Sequence, residues 1–122
     1  MQYVCLIYLE EAKFAVMTQE ERDGLVNAAL DSDEALRQSG HWVAANALQS
    51  PRNAASVRVR NGKLSVTDGP FAETKEHLSG YILIEARDLN EAIRIAAKIP
   101  MSAIGTTEVR PVEHLERIEA KG

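Results

Sequence analysis

Tyr3-Val4-Cys5-Leu6-Ile7-Tyr8-Leu9 is an unbroken apolar run in a chain of 122 residues. It is too short for a helix of ordinary length and lacks the alternation of a half-solvated strand. It therefore reads as a strand buried on both faces. It also falls far short of the roughly 20 residues that a membrane-spanning helix requires. No basic leader or small-residue cleavage site accompanies it, so the expected location is the cytoplasm. A strand apolar on both sides needs cover on both sides, and this requirement governs the reading of the rest of the chain.

Further along, Thr18 and Glu21 have the spacing of a capping box and open a long helix. Leu25, Ala29 and Leu36 form its apolar stripe, with Val26 and Leu30 beside them, and Gly40 supplies its stop. Asp31-Ser32-Asp33-Glu34 is poor helix material and predicts a solvated face or a slight irregularity. His41 to Leu48 predicts a second strand despite its alanines, and Gln49 to Asn53 a loop around Pro51. Asn61-Gly62 then sits between Val57-Arg58-Val59-Arg60 and Lys63-Leu64-Ser65-Val66. That pattern predicts a two-residue hairpin whose turn residues take positive φ. Its register pairs Val59 with Leu64 and Val57 with Val66 on one face, leaving Arg58, Arg60 and Lys63 on the other.

Asp68-Gly69-Pro70-Phe71 is a tight turn by composition, and Ala72 to Leu78 a short charged segment interrupted by Ser79-Gly80. Tyr81 to Ala86 is another apolar strand. Asp88 and Glu91 repeat the capping spacing and open a second helix that Pro100 ends. Thr106 to Val112 alternates as a last strand, and 113–122 is a charged tail with room for a short helical turn.

Without the hairpin, the order is βαββαβ. This predicts an α+β fold of the ferredoxin-like kind, in one domain over 1–122, with both helices on one face of an antiparallel sheet. The first and third strands of the sheet run centrally. The other face is left bare, although Tyr3, Cys5 and Ile7 on one side of the first strand and Val4, Leu6 and Tyr8 on the other are all apolar or aromatic. An apolar sheet face without cover predicts a homodimer packed sheet on sheet about a two-fold axis.

Charge narrows the partners. Lys plus Arg number 14 against 18 Asp plus Glu, for a net charge of −4, which argues against a nucleic-acid backbone binder. Hydrophobic residues make up 45%, enough for a core, while aromatics at 5% are too few for a base-stacking platform. The single cysteine, Cys5, excludes an internal disulfide and a multi-cysteine zinc site. His41, His77 and His114 show no metal-ligand spacing, and no glycine-rich phosphate loop is present. The expectation is a protein with neither metal nor nucleotide cofactor, and with no membrane segment.

Val66-Thr67-Asp68-Gly69-Pro70-Phe71-Ala72-Glu73-Thr74-Lys75-Glu76, followed by Gly80-Tyr81, resembles the signature of the DGPF-domain branch of the YCII-related family. The resemblance covers nearly the whole chain, from the opening strand ending in Tyr8, through the Asn-Gly hairpin, to Glu108-Val109-Arg110-Pro111. It implies a dimeric α/β-barrel version of the ferredoxin-like fold and no particular activity. Relatives are often encoded beside extracytoplasmic-function sigma factors, which implies a regulatory link or a sigma-factor partner. The broader family carries a His on the first helix and an Asp-Pro after the second, proposed as a catalytic pair. Here 18–39 contains no His and Ile99 precedes Pro100, so that pair cannot be carried over.

The signature block gathers Asp68, Glu73, Lys75, Glu76 and His77 within ten positions. One reading is a cleft for a small polar or anionic metabolite, with cofactor-free acid–base chemistry of the isomerase, lyase or dehydratase kind. Asp68, Glu73 or His77 would move protons. Lys75 and Arg110 would neutralise developing charge, with Glu76 and Tyr81 also lining the ligand. The competing reading is structural: Asp68 accepts backbone N–H groups, Gly69 takes an unusual φ, and Glu73 with Lys75 is an exposed pair. Arg110 shares a strand face with Glu108 and serves either as an anion clamp or as a salt bridge. Cys5 reads as core and the basic hairpin face as solvated or anion-binding. The alternative to a metabolite site is a regulatory module that binds a protein partner without catalysis.

Overall fold

The computed structural model describes residues 1–119 and has an α+β architecture. In chain order the elements are β1 (Gln2–Leu9), α1 (Glu11–Ala15), α2 (Gln19–Ser39), β2 (Trp42–Ala47), β3 (Ala55–Arg60), β4 (Lys63–Asp68), β5 (His77–Glu85), α3 (Leu89–Ala97) and β6 (Thr106–Pro111). Single 3₁₀ turns lie at Pro51–Asn53 and Pro100–Ala103. Residues 112–119 take no regular structure, and the remainder of the charged tail, 120–122, lies outside the described residues.

Four strands form an antiparallel sheet in the order β2-β5-β1-β6, and β3 and β4 form a sheet of their own. The opening strand is central, as its double-sided apolar sequence requires. Tyr3, Cys5 and Ile7 are buried on one face together with Ile82 and Ile84 of β5. Ala92 and Ala96 of α3, Ile99 and the packed edge of Leu36 from α2 close over them. Val4, Leu6 and Tyr8 point the other way and are only half-buried. The register places them beside Arg110, Glu108 and Thr106 of β6.

The helix caps form as their spacing predicts. The Thr18 hydroxyl accepts from the Glu21 N–H at 3.1 Å, and the Glu21 carboxylate accepts from the Thr18 N–H at 3.2 Å. Gly40 ends α2 with φ 80°. In α3, the Asp88 carboxylate accepts from the Glu91 N–H at 2.9 Å, but Glu91 reaches past Asp88 to the Arg87 N–H at 2.9 Å.

Asp31 to Glu34 stays in continuous helix with Asp31 and Glu34 exposed, the solvated face rather than the irregularity; Glu34 accepts from Gln38 at 3.0 Å and pairs with Arg37 at 3.3 Å, contacts that offset weak propensity. Two local features differ from the sequence expectation. The polar stretch Glu10 to Lys13, which by sequence only ends the first strand, leads into a short helix, α1, over Glu11–Ala15. The strand expected from Tyr81 begins earlier, at His77, so that Leu78 and Ser79-Gly80 lie within β5 rather than in a charged segment and its break. The strand absorbs an extra residue as a register shift opposite Ile7 and Tyr8, and the Ser79 hydroxyl donates to the Ile7 carbonyl at 3.1 Å.

The hairpin has its expected register, with Val59 opposite Leu64 and Val57 opposite Val66. Asn61 and Gly62 carry φ of 52° and 73°, as a type I′ turn demands. Its apolar face is uncovered: Val57, Val59, Leu64 and Val66 are between 58% and 68% exposed.

Candidate functional site

Antiparallel pairing brings three chain segments to one end of the sheet. His77, at the start of β5, lies opposite Leu9, and Thr106, at the start of β6, lies opposite Tyr8. The loop entering β5 and the corner leading from β1 into α1 therefore meet there. Between them is a cleft of about 580 Å³ lined by Tyr8, Glu10, Lys13, Lys75, Glu76 and Glu108, together with two threonines. One threonine hydroxyl, that of Thr106, donates to the Glu76 carboxylate at 2.9 Å. The other, on Thr74, donates to the Glu76 carbonyl at 2.6 Å. Glu76 is thus held at both its side chain and its backbone.

The charges in the cleft are mixed. Lys13 lies 3.6 Å from Glu10, whose side chain is only 19% exposed. Glu108 is paired with Arg110 next to it on β6. Lys75 makes no ion pair among the described residues. The arrangement offers one uncommitted cation, a fixed half-buried carboxylate and a phenol at the rim. It is suited to a small molecule that carries a negative group and a hydrogen-bond donor.

Of the residues expected from sequence, the cleft brings together Lys75 and Glu76, with Arg110 one step away through Glu108. Asp68 lies outside it, exposed at the end of β4, and its carboxylate accepts no hydrogen bond among the described residues. The turn below it is held instead by the Gly69 N–H donating to the Ala54 carbonyl at 2.7 Å and the Ser56 hydroxyl donating to the Gly69 carbonyl at 2.8 Å. Gly69 has the unusual φ expected of it, 88°. Glu73 is exposed outside the cleft. His77 and Tyr81 line a different surface, and the Tyr81 hydroxyl accepts from the Asn46 amide at 2.9 Å. His41 bridges Ser39 at 2.7 Å and Glu91 at 3.3 Å, tying the end of α2 to the start of α3.

Sequence reading missed Glu10, Lys13, Thr74 and Thr106 as cleft residues. A period-two argument would have found Thr106 only with the β1–β6 register in hand, and no local motif supplies that. Cys5 is fully buried, and burial pushes its thiol up to about 11. It belongs to the core, as expected.

The second surface is a groove of about 760 Å³ between α2 and the β2 side of the sheet. Phe14, Val26, Leu30, Trp42, Ala45 and Leu48 make it mainly apolar. No residue of α2 is fully buried: Leu25, Ala29 and Leu36 are half-buried, and Val26 and Leu30 stay exposed along the groove. Asp33 lies on the groove wall. Burial raises its carboxyl above the ordinary range, against the pull of Arg37. Among the described residues no group of three or more His, Cys, Asp or Glu is placed to hold a metal ion, and no helix is long and apolar enough to cross a membrane.

A sequence profile of the YCII-related domain matches residues 1–116. An uncharacterized protein of Rhizobium meliloti (strain 1021) is 32% identical over 114 residues, spanning 92% of each chain. The chain belongs to the YCII-related family.

Proposed function

We propose that this YCII-related protein binds a small polar metabolite in the cleft between Lys75, Glu76 and the β1–α1 corner. The ligand's carboxylate pairs with Lys75, and its hydroxyl or ammonium group is met by Glu76 or Glu10. One observation carries the reading: Lys75 faces the cleft without an ion pair, beside a carboxylate that Thr106 holds in place. A cation left without a partner among the described residues, in a site otherwise rich in carboxylates, is free to take an anionic group. Acid–base chemistry in this cleft would fall to Glu76, which lines it, rather than to Asp68, Glu73 or His77.

The reading includes a ferredoxin-like subunit of the DGPF branch, acting in the cytoplasm as a homodimer. The strand order β2-β5-β1-β6 supports the subunit fold. The half-buried face of Val4, Leu6 and Tyr8 supports a partner sheet packed against it. A second reading, a regulatory module with a protein partner such as a sigma factor, draws support from the uncovered hairpin.

The test is a thermal-shift panel of hydroxy acids, dicarboxylates and amino acids on the wild type and Lys75→Met. At least one compound raises the wild-type unfolding temperature and leaves that of Lys75→Met unmoved, while the unliganded variant melts as the wild type does. A shift that persists in Lys75→Met, or no shift from any compound, overturns the reading.

A further inference from the structure

The chain carries an exposed apolar arm and a mainly apolar groove. The arm is the β3–β4 hairpin, a two-stranded sheet that pairs with no other strand among the described residues. Isolated two-stranded hairpins are marginal in water, and this one leaves Val57, Val59, Leu64 and Val66 exposed on one face. The groove contains Val26, Leu30 and Leu48, themselves among the exposed large hydrophobic residues. None of residues 55–68 lines the groove of its own chain. The arm is rooted at that groove's rim, where Arg52 pairs with Glu11 at 2.7 Å and Ser50 donates to Glu11 at 3.3 Å.

Charge complements shape. Arg58, Arg60 and Lys63 against Asp68 give the arm +2, which leaves −6 on the rest of a chain whose total is −4. On α2, Asp33 lines the groove, and Asp31 and Glu34 are its neighbours along the helix; of the two cations in the lining, Arg37 is paired with Glu34 and Arg52 with Glu11. Two copies can satisfy each other's arm and groove reciprocally, as a two-fold contact requires.

We propose that the hairpin arm of one copy lies in the apolar groove between α2 and β2 of a second copy, its basic side chains facing the acidic residues of that helix. The contact is additional to sheet-on-sheet pairing and shares with the proposed function only the existence of a second copy. It does not involve Lys75 or the polar cleft, so the two readings fail separately.

The experiment measures the rate at which dithiobis(nitrobenzoate) labels Leu30→Cys, with Val26→Cys as a second reporter. Native Cys5 is buried, with its thiol pushed up to about 11, and stays silent in the folded protein. Labelling is slow at high protein concentration and accelerates by roughly tenfold or more on dilution through dissociation. The arm variant Val57→Ser/Val59→Ser/Leu64→Ser makes it fast at every concentration. Arg58→Glu/Arg60→Glu, which keeps the arm's apolar face, also speeds it. Labelling that is slow at every concentration would place a chain's own arm, or another cover, in the groove. Labelling that is always fast would leave the groove open to small apolar ligands. Slow labelling that survives both arm variants would assign the groove to another surface of the partner. Each of these three results overturns the proposal.

Discussion

Gly105 and Asp68 make opposite predictions at the scale of single residues. A Cβ on Gly105 would run into the Tyr8 carbonyl and the Leu9 side chain, and the carbonyl belongs to a paired central strand that cannot move freely. Gly105→Ala is therefore expected to lower the unfolding free energy by about 1–3 kcal/mol, measured by urea denaturation. Asp68 is exposed, and its side chain has no partner among the described residues. Asp68→Ala is expected to stay within about 0.5 kcal/mol of wild type in the same measurement. A larger loss would restore the turn-stapling role that the signature suggests. Sequence made the Asp-Gly pair legible as a turn but not the identity of the group that ties it, because Ser56 lies 13 residues away from Gly69. Cys5 was legible as core because an apolar strand with no nearby base gives a thiol nothing else to do.

At the scale of elements, the caps and the hairpin were readable in advance, since both depend on residues within a few positions of one another. What could not be read was the incomplete cover of α2: Leu25, Ala29 and Leu36 are half-buried, while Val26 and Leu30 beside them stay exposed on the groove. That outcome depends on what fills the space beneath the helix, which is a tertiary matter. Helix α3 supplies a pH prediction. The Glu91 N–H bonded to Asp88 and the Arg87 N–H bonded to Glu91 hold both carboxyls below their ordinary range. A depressed folded-state pKa contributes stability above the unfolded value, and that stability is lost as pH falls towards the folded value. The melting temperature should therefore fall as acid is added below the ordinary carboxylate range. Asp88→Asn keeps a capping side chain but cannot titrate, and should make that fall shallower. An unchanged acid slope in Asp88→Asn would remove Asp88 from the account.

At the scale of the whole molecule, the central placement of a strand apolar on both faces organises everything else. It buries Tyr3, Cys5 and Ile7 under the helices, and it turns Val4, Leu6 and Tyr8 toward the open face. It also delivers Tyr8 and Glu10 to the end of the sheet where Lys75 and Glu76 arrive. The signature pointed to that loop, and three of its residues, Thr74, Lys75 and Glu76, do line the cleft. Asp68, Glu73 and His77 lie elsewhere, because the loop and the bulged strand send neighbouring residues to different surfaces. Nearness in sequence was a guide to the neighbourhood of the site and a poor guide to its members.

The most direct measurement is a ¹H–¹⁵N correlation spectrum of the labelled protein, titrated with whichever panel acid gives the largest Lys75-dependent thermal shift. Saturable shifts are expected, confined to the amides around Tyr8 to Lys13, Thr74 to Glu76 and Thr106 to Glu108. Saturable shifts centred instead on α2 and β2, with those amides still, would contradict binding in the cleft.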